Sequence, residues 1–99
     1  MFRHVVLMRW KEETTADQLA HMETGLAGLP ALVPEIRDYK FGADAGMSPG
    51  NFDFAIVADF DDVESYVVYR DHPDHVALIN DRIKPLVAER VAVQHQLEK

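Results

Sequence analysis

The stretch FRHVVLMRW, residues 2–10, is apolar on both sides when it is drawn as an extended chain. Successive side chains of a β-strand point to opposite faces of the sheet. One face therefore carries Phe2, His4, Val6, Met8 and Trp10, and the other carries Val5 and Leu7 between Arg3 and Arg9. Apolar residues on both faces are typical of a strand in a sheet that is covered on both sides.

The rest of the chain predicts helices and further strands around this first strand. A cap at Thr14 or Thr15 and apolar residues at helical spacing predict a helix that ends at Pro30. Strands are predicted within 35–44 and 52–60, then a helix from Asp61–Asp62 to Pro73, a helical stretch to Pro85 and a closing strand at 87–97. This order predicts a ferredoxin-like split βαβ sandwich, an α+β fold with a four-stranded antiparallel sheet and helices on one face.

The second face of that sheet needs a cover that the predicted helices do not supply. Val5 and Leu7 contribute to this face, and monomeric proteins rarely leave large apolar patches exposed. We therefore predict a homodimer in which the sheets of two chains pack face to face and form a dimeric α/β barrel.

Composition limits the classes of function. The 99 residues suit a single domain, 1–99, because a chain of this length closes only one core. With 17 acidic against 10 basic residues and no run of lysine or arginine, nucleic acid is not an expected partner. The lack of cysteine excludes disulfides, thiolate nucleophiles and cysteine-ligated metals. No stretch is apolar enough for a signal peptide or a membrane span, so the expected location is the cytoplasm.

The stretch YRDHPDH, residues 69–75, places two of the five histidines close to a tyrosine. On one helix Tyr69 and His72 would share a face, whereas Tyr69 and His75 meet only if the chain folds back at Pro73. His72 and His75 also have the spacing of a metal-ligand pair on a continuous helix, but Pro73 interrupts that helix, and we predict no metal site. A structural interpretation stays open, because histidines and prolines of this kind also close helix ends.

Three features together make the chain resemble the stress-responsive dimeric α/β-barrel (Dabb) domain family: HVVLMRWKEETT at residues 4–15, the predicted hairpin, and YRDHPDHVALINDRIKPL at residues 69–86. The resemblance covers nearly the whole chain and implies a homodimer whose two sheets close into a barrel. A cofactor-free plant polyketide cyclase of this family matches His4, Tyr69 and His75. The resemblance therefore favours His75 over His72 and implies a protein without a cofactor.

These residues suit proton transfer beside a carbonyl group. A histidine can remove and return a proton near neutral pH, and His75 is the predicted general base toward an acidic C–H. The hydroxyl of Tyr69 would donate a hydrogen bond to the oxygen on which negative charge develops, and His4 would orient the substrate or a bridging water. The predicted activity is that of a small cyclase, isomerase or lyase.

The walls of a pocket around these groups are predicted to be aliphatic or thioether side chains, with His72 as a further substrate contact. The predicted wall residues are Val6, Met8, Met22, Leu26, Leu29, Leu78, Ile79 and Leu86. Such walls suit a small apolar or aromatic carbonyl compound. For Leu26 and Leu29, a filled core is the competing interpretation.

Two other functions are open at this point. The first is a non-catalytic dimeric, stress-associated protein whose histidines close helix ends and brace the sheet, with Met8, Met22 and Leu78 filling the space between. The second is a cofactor-free monooxygenase of the kind found on related barrels, although no residue pattern in this chain points to it.

Overall fold

The computed structural model describes residues 1–97, and its elements are β1 (Phe2–Trp10), α1 (Ala16–Leu32), β2 (Asp38–Ala43), β3 (Phe54–Phe60), α2 (Val63–Asp71), α3 (Pro73–Leu78), a π-helical segment (Ile79–Ile83) and β4 (Val87–Gln96). The four strands form one antiparallel sheet in the order β2-β3-β1-β4. This is the ferredoxin-like α+β topology that the sequence predicted. Within residues 1–97, no helix has both the length and the apolar character needed to cross a membrane.

The register of the sheet determines which residues face the helices. His4 of β1 lies opposite Ala58 of β3 and Gln94 of β4, and directly opposed residues of antiparallel strands share a face. The strand residues that this face buries are His4, Val6, Met8, Phe54, Ile56, Ala58 and Phe60. The helices therefore cover the side of the sheet that carries His4.

The other side, the open sheet face, consists of Val5, Leu7, Ala55, Val57, Val91 and Val93. Leu7 is 36% exposed and Val93 is 56% exposed. Charged pairs stand at its two ends: Arg3 with Asp59 at 2.8 Å and Arg9 with Glu89 at 3.4 Å. The face thus has an apolar centre between charged ends, and no element of residues 1–97 covers it.

Helix α1 begins at a capping box and buries one face. The Thr15 side chain accepts from the Gln18 amide, and the Gln18 side chain accepts from the Thr15 amide. This arrangement satisfies two of the N–H groups that a helix start leaves unpaired. The predicted end at Pro30 is wrong, because the helix continues to Leu32. A proline removes one N–H donor, but its φ angle is compatible with the helix, and the Val33 amide still donates to the Leu29 carbonyl.

The second helical region consists of three short pieces. Asp62 caps α2 by accepting from the Ser65 amide at 2.8 Å. The chain is extended at His72, and α3 begins at Pro73, which is a favourable first residue for a helix. The stretch after Pro73 was predicted as one helix, but it changes to π-helical hydrogen bonding, in which the Lys84 amide donates to the Ile79 carbonyl at 2.7 Å.

Candidate functional site

A cavity of about 370 Å³ lies between the covered face of the sheet and the helices; we call it the central cavity. Its lining consists of His4, Val6, Met8, Leu26, Tyr39, Ile56, Tyr66, Tyr69, Arg70, His75, Ile79, Ile83, Lys84, Val87 and Arg90. A larger and more open depression of about 500 Å³ adjoins the β2–β3 loop, but no histidine or tyrosine lines it. Of these two spaces, only the central cavity is therefore lined by histidines and tyrosines that could perform acid–base chemistry.

His75 and Tyr69 are brought together by the break between α2 and α3. Their rings stack with centroids 4.0 Å apart and planes 29° from parallel. The Nδ1 atom of His75 lies 3.1 Å from the Arg70 carbonyl oxygen. A carbonyl oxygen only accepts, so Nδ1 carries the hydrogen and Nε2 keeps its lone pair. Burial lowers the pKa of His75, which keeps the ring neutral at neutral pH.

His72 has a different position and a different partner. It does not line the central cavity, and its Nδ1 accepts a hydrogen bond from the Asp74 amide at 3.1 Å. His72 is therefore the N-cap of α3. Of the two pairings that the sequence left open, the structure forms the one between Tyr69 and His75.

His4 lies deep in the cavity on a central strand. It is 4% exposed, and the side-chain amide of Gln94 donates to its Nδ1 at 2.7 Å. The proton of the neutral ring is therefore on Nε2. Burial lowers the pKa of His4 to about 4, with smaller effects of the same sign from Arg90 and His75. At neutral pH the ring is uncharged and carries one N–H donor.

Tyr39 and Tyr66 also line the central cavity, which the sequence pattern did not predict. The hydroxyl of Tyr39, from β2, lies 3.0 Å from the hydroxyl of Tyr69, and the Tyr66 ring centroid lies 5.0 Å from that of His4. Burial raises the pKa of Tyr39 to about 12 and the pKa of Tyr69 further still. Both phenols therefore stay protonated and act as hydrogen-bond donors. Tyr66 could have been found from its position three residues before Tyr69 on one helix.

The predicted wall residues divide into two groups. Val6, Met8, Leu26 and Ile79 line the central cavity. Met22, Leu29, Leu78 and Leu86 are buried in the hydrophobic core and do not line it. The lining also includes residues that the sequence pattern did not predict, namely the apolar residues Ile56, Ile83 and Val87 and the basic residues Arg70, Lys84 and Arg90.

The histidines and carboxylates of residues 1–97 do not form a cluster of three or more groups with which a metal ion could be held. His72 and His75, the pair with metal-ligand spacing, bond through Nδ1 to two different backbone groups. The available groups of the cavity are instead one imidazole lone pair, one imidazole N–H and a pair of bonded phenols.

Comparison with known proteins identifies relatives over most of the chain. The family described as "Stress responsive A/B Barrel Domain" matches residues 2–96. A stress-response A/B barrel domain-containing protein of Arabidopsis thaliana is 28% identical over 78 residues, which are 76% of this chain and 68% of that protein.

Two solved structures extend the comparison. A protein of unknown function from Thermobifida fusca, described as dimeric and ferredoxin-like, is 48% identical with a TM-score of 0.90, covering 97% of this chain and 90% of that one. The hydroxynitrile lyase of Passiflora edulis is 20% identical with a TM-score of 0.87, covering 99% of this chain and 94% of that one. At that identity the lyase is similar in fold alone.

Proposed function

The chain belongs to the stress-responsive A/B barrel domain family, and we propose that it is a homodimeric enzyme that transfers protons beside the carbonyl group of a small aromatic or apolar compound without a cofactor. The observation that carries this proposal is that two neutral histidines of one cavity have opposite tautomers. His75 keeps the lone pair of Nε2, while His4 keeps the hydrogen of Nε2. A proton acceptor and a proton donor therefore border the same largely apolar space.

The first step is removal of a proton by His75. Its Nε2 lone pair takes the proton from the carbon beside the carbonyl group, the electrons of that C–H bond form a C=C bond, and the carbonyl oxygen becomes an enolate oxygen. The lowered pKa of His75 keeps the base unprotonated at neutral pH. The Arg70 carbonyl that bonds to Nδ1 also stabilises the imidazolium ion that results, because the same N–H donates to it before and after the transfer.

The enolate oxygen then needs hydrogen-bond donors. The Nε2–H group of His4 is one donor, and the hydroxyl hydrogen that the Tyr39–Tyr69 pair does not use internally is the second. Return of the proton to another position would make the protein an isomerase. Attack of the enolate carbon on a second carbonyl would make it a cyclase, and loss of a leaving group would make it a lyase.

The size and lining of the cavity limit the substrate. About 370 Å³ is at the small end of the roughly 300–1,000 Å³ that ligand pockets span. Aromatic rings of Tyr39, Tyr66 and Tyr69 and aliphatic side chains from β1, β3 and the π-helical segment form most of the wall. One aromatic ring with a short carbonyl-bearing chain suits this space better than a long polyketide chain.

The homodimer is supported by the open sheet face. Its apolar centre would be buried against the same face of a second chain, and the arginine–carboxylate pairs at its ends would remain at the rim. The Thermobifida fusca relative, at 48% identity, is described as dimeric.

A second candidate is a non-catalytic dimeric stress-associated domain. His72 caps a helix and His75 bonds to a backbone carbonyl, so each motif histidine also has a structural hydrogen bond. This candidate predicts that no compound undergoes proton exchange in the central cavity.

Hydrogen–deuterium exchange distinguishes the two candidates. In D₂O, proton NMR would follow the C–H signals beside the carbonyl of 2-tetralone, 1-phenylpropan-2-one and phenylpyruvate, with wild-type protein and with His75→Gln. We expect the wild type to accelerate exchange of at least one compound and the variant to lose that acceleration. Equal rates with both proteins and in buffer would overturn the enzyme proposal and favour the non-catalytic domain.

A further inference from the structure

The rim of the central cavity is basic although the whole chain is acidic. The chain has a formal net charge of −7, yet Arg70, Lys84 and Arg90 line the cavity, and no Asp or Glu of residues 1–97 does so. All three basic residues are exposed, whereas the histidines and most of the aliphatic lining are buried. A ligand that enters this cavity therefore passes positive charge before it reaches the apolar interior.

Within residues 1–97, two of the three charges have no neutralising partner. Arg70 forms a bidentate pair with Asp71, with distances of 2.9 and 3.1 Å. Neither Lys84 nor Arg90 forms an ion pair with any group of residues 1–97. The carboxylate beside Arg90 in sequence, Glu89, points to the other side of the sheet and pairs with Arg9.

The backbone determines the positions of both residues. Arg90 lies opposite Met8 in the β1–β4 register, on the face of the sheet that carries the cavity. Lys84 follows the π-helical segment directly, and its amide closes that segment by donating to Ile79. The charge of Arg90 acts on the reactive groups as well: it adds to the lowering of the pKa of His4 and His75 that burial causes, and it opposes part of the rise in the pKa of Tyr69 that burial causes.

We propose that Lys84 and Arg90 bind the carboxylate of an aromatic carboxylic acid whose ring occupies the apolar interior of the central cavity. The guanidinium group offers parallel N–H donors that match a carboxylate, and the lysine adds a compact second charge. Where the proposed function also holds, the substrate is an aromatic keto acid. Only this last step rests on the proposed function; the carboxylate site does not.

The test compares two ligands of the same shape that differ in charge. Isothermal titration at low ionic strength would measure the dissociation constants of 3-phenylpropanoate and 3-phenylpropanamide for the wild type and for the double variant Lys84→Gln/Arg90→Gln. We expect the wild type to bind the carboxylate about tenfold more tightly than the amide, as charge-assisted hydrogen bonds predict. In the double variant this preference should fall below about threefold while the affinity for the amide stays the same.

The control is Lys11→Gln, which removes one positive charge at an exposed residue outside the cavity lining. It should keep the full preference for the carboxylate. Equal binding of the two ligands by the wild type, an unchanged preference in the double variant, or no measurable binding of either ligand would each overturn the carboxylate site.

This measurement is independent of turnover. A preserved preference for the carboxylate without any deuterium exchange would defeat the proposed enzyme and leave the binding site in place. Deuterium exchange without a preference that depends on Lys84 and Arg90 would defeat the binding site and leave the enzyme in place.

Discussion

The imidazole ring of His75 stacks on the phenol ring of Tyr69 at a centroid distance of 4.0 Å, although a helix ends and another begins between the two residues. His72, which is closer to Tyr69 in sequence, caps the second of those helices. The two histidines of one short motif thus have separate roles, and separate substitutions can distinguish them.

Replacement of His75 should slow proton transfer strongly, whereas replacement of His72 should affect only stability. We expect His75→Gln to reduce deuterium exchange by about 10² to 10⁴-fold, the usual contribution of a general base. His72→Asn, the matched control, keeps a side chain that can cap a helix and should leave exchange nearly unchanged. Exchange rates and urea unfolding of both variants would check this, and equal losses of exchange would contradict the assignment of the base.

The Tyr39–Tyr69 hydroxyl pair should show a measurable coupling. Each single change to phenylalanine leaves the other buried hydroxyl without its partner, so Tyr39→Phe and Tyr69→Phe should each lower the free energy of unfolding by about 1–2 kcal/mol. The double variant should lose less than the sum of the two, with a coupling of about 1 kcal/mol. Strict additivity in urea unfolding would show that the hydroxyls do not interact.

His4 should make stability depend on pH in the weakly acidic range. Its pKa is about 4 in the folded protein against an ordinary value of 6.5, so between these pH values the unfolded chain binds more protons at this residue. The part of the free energy of unfolding that depends on the neutral form of His4 is present in full above pH 6.5. It is lost as the pH falls toward 4, to a total on the order of 3 kcal/mol.

Unfolding of the wild type and of His4→Gln at a series of pH values would measure this effect. The variant should lose less stability than the wild type between pH 6.5 and 4.5, because it lacks the titrating group at position 4. The effect of His75 on stability has the same sign and is common to both proteins. Nitrogen NMR should find the wild-type His4 proton on Nε2. Parallel stability curves, or a His4 midpoint near 6.5, would refute the assignment.

The open sheet face should be the dimer interface. A carboxylate at its apolar centre would be buried without a partner, so Leu7→Asp and Val93→Asp should each shift the protein to a monomer at micromolar concentration. Val63→Asp is the control, because Val63 is 44% exposed and begins α2, where a negative charge is favourable. Sedimentation velocity would measure the oligomeric state of each variant, and dimers that persist in both sheet variants would place the interface elsewhere.

Two glycines of α1 should differ in their response to alanine. At Gly28 an added Cβ meets nothing within 4 Å, so Gly28→Ala should raise the free energy of unfolding by up to about 1 kcal/mol through helix propensity. At Gly25 an added Cβ would lie 2.5 Å from Leu78 Cδ1 and 3.0 Å from Arg82 Nη1. Gly25→Ala should therefore be less stable than Gly28→Ala, and equal stabilisation in thermal unfolding would contradict the close approach of α1 to α3.

Much of the fold was predictable because its strands and helices have strong periodic patterns. The two apolar faces of residues 2–10 predicted β1 at its observed bounds, and a cap at Thr14 or Thr15 predicted the start of α1, where the structure has Thr15 as the cap. Pro30, by contrast, does not end the helix, because its fixed φ angle fits a helical turn and the Val33 amide beyond it still donates to the Leu29 carbonyl.

The site was harder to predict, because its contacts depend on long-range geometry. Spacing pairs Tyr69 with His72, and only the extended backbone of His72, with ψ at 132°, brings His75 back to Tyr69. Tyr39 reaches Tyr69 because β2 pairs with β3 in a register that places Tyr39 opposite Ala58. The change to π-helical hydrogen bonding at residues 79–83, which brings Ile83 to the cavity, has no local signal that periodicity detects.

Strand β4 performs two tasks through alternate residues. Arg90 and Gln94 lie on the cavity side, and Val91 and Val93 lie on the open sheet face. A shift of the β1–β4 register by one residue would exchange the two sets at once, because side chains of a strand alternate with a period of two. We therefore expect proteins that keep both surfaces to preserve the register of β4 against β1, with the residue types at positions 91 and 93 free to vary among apolar side chains.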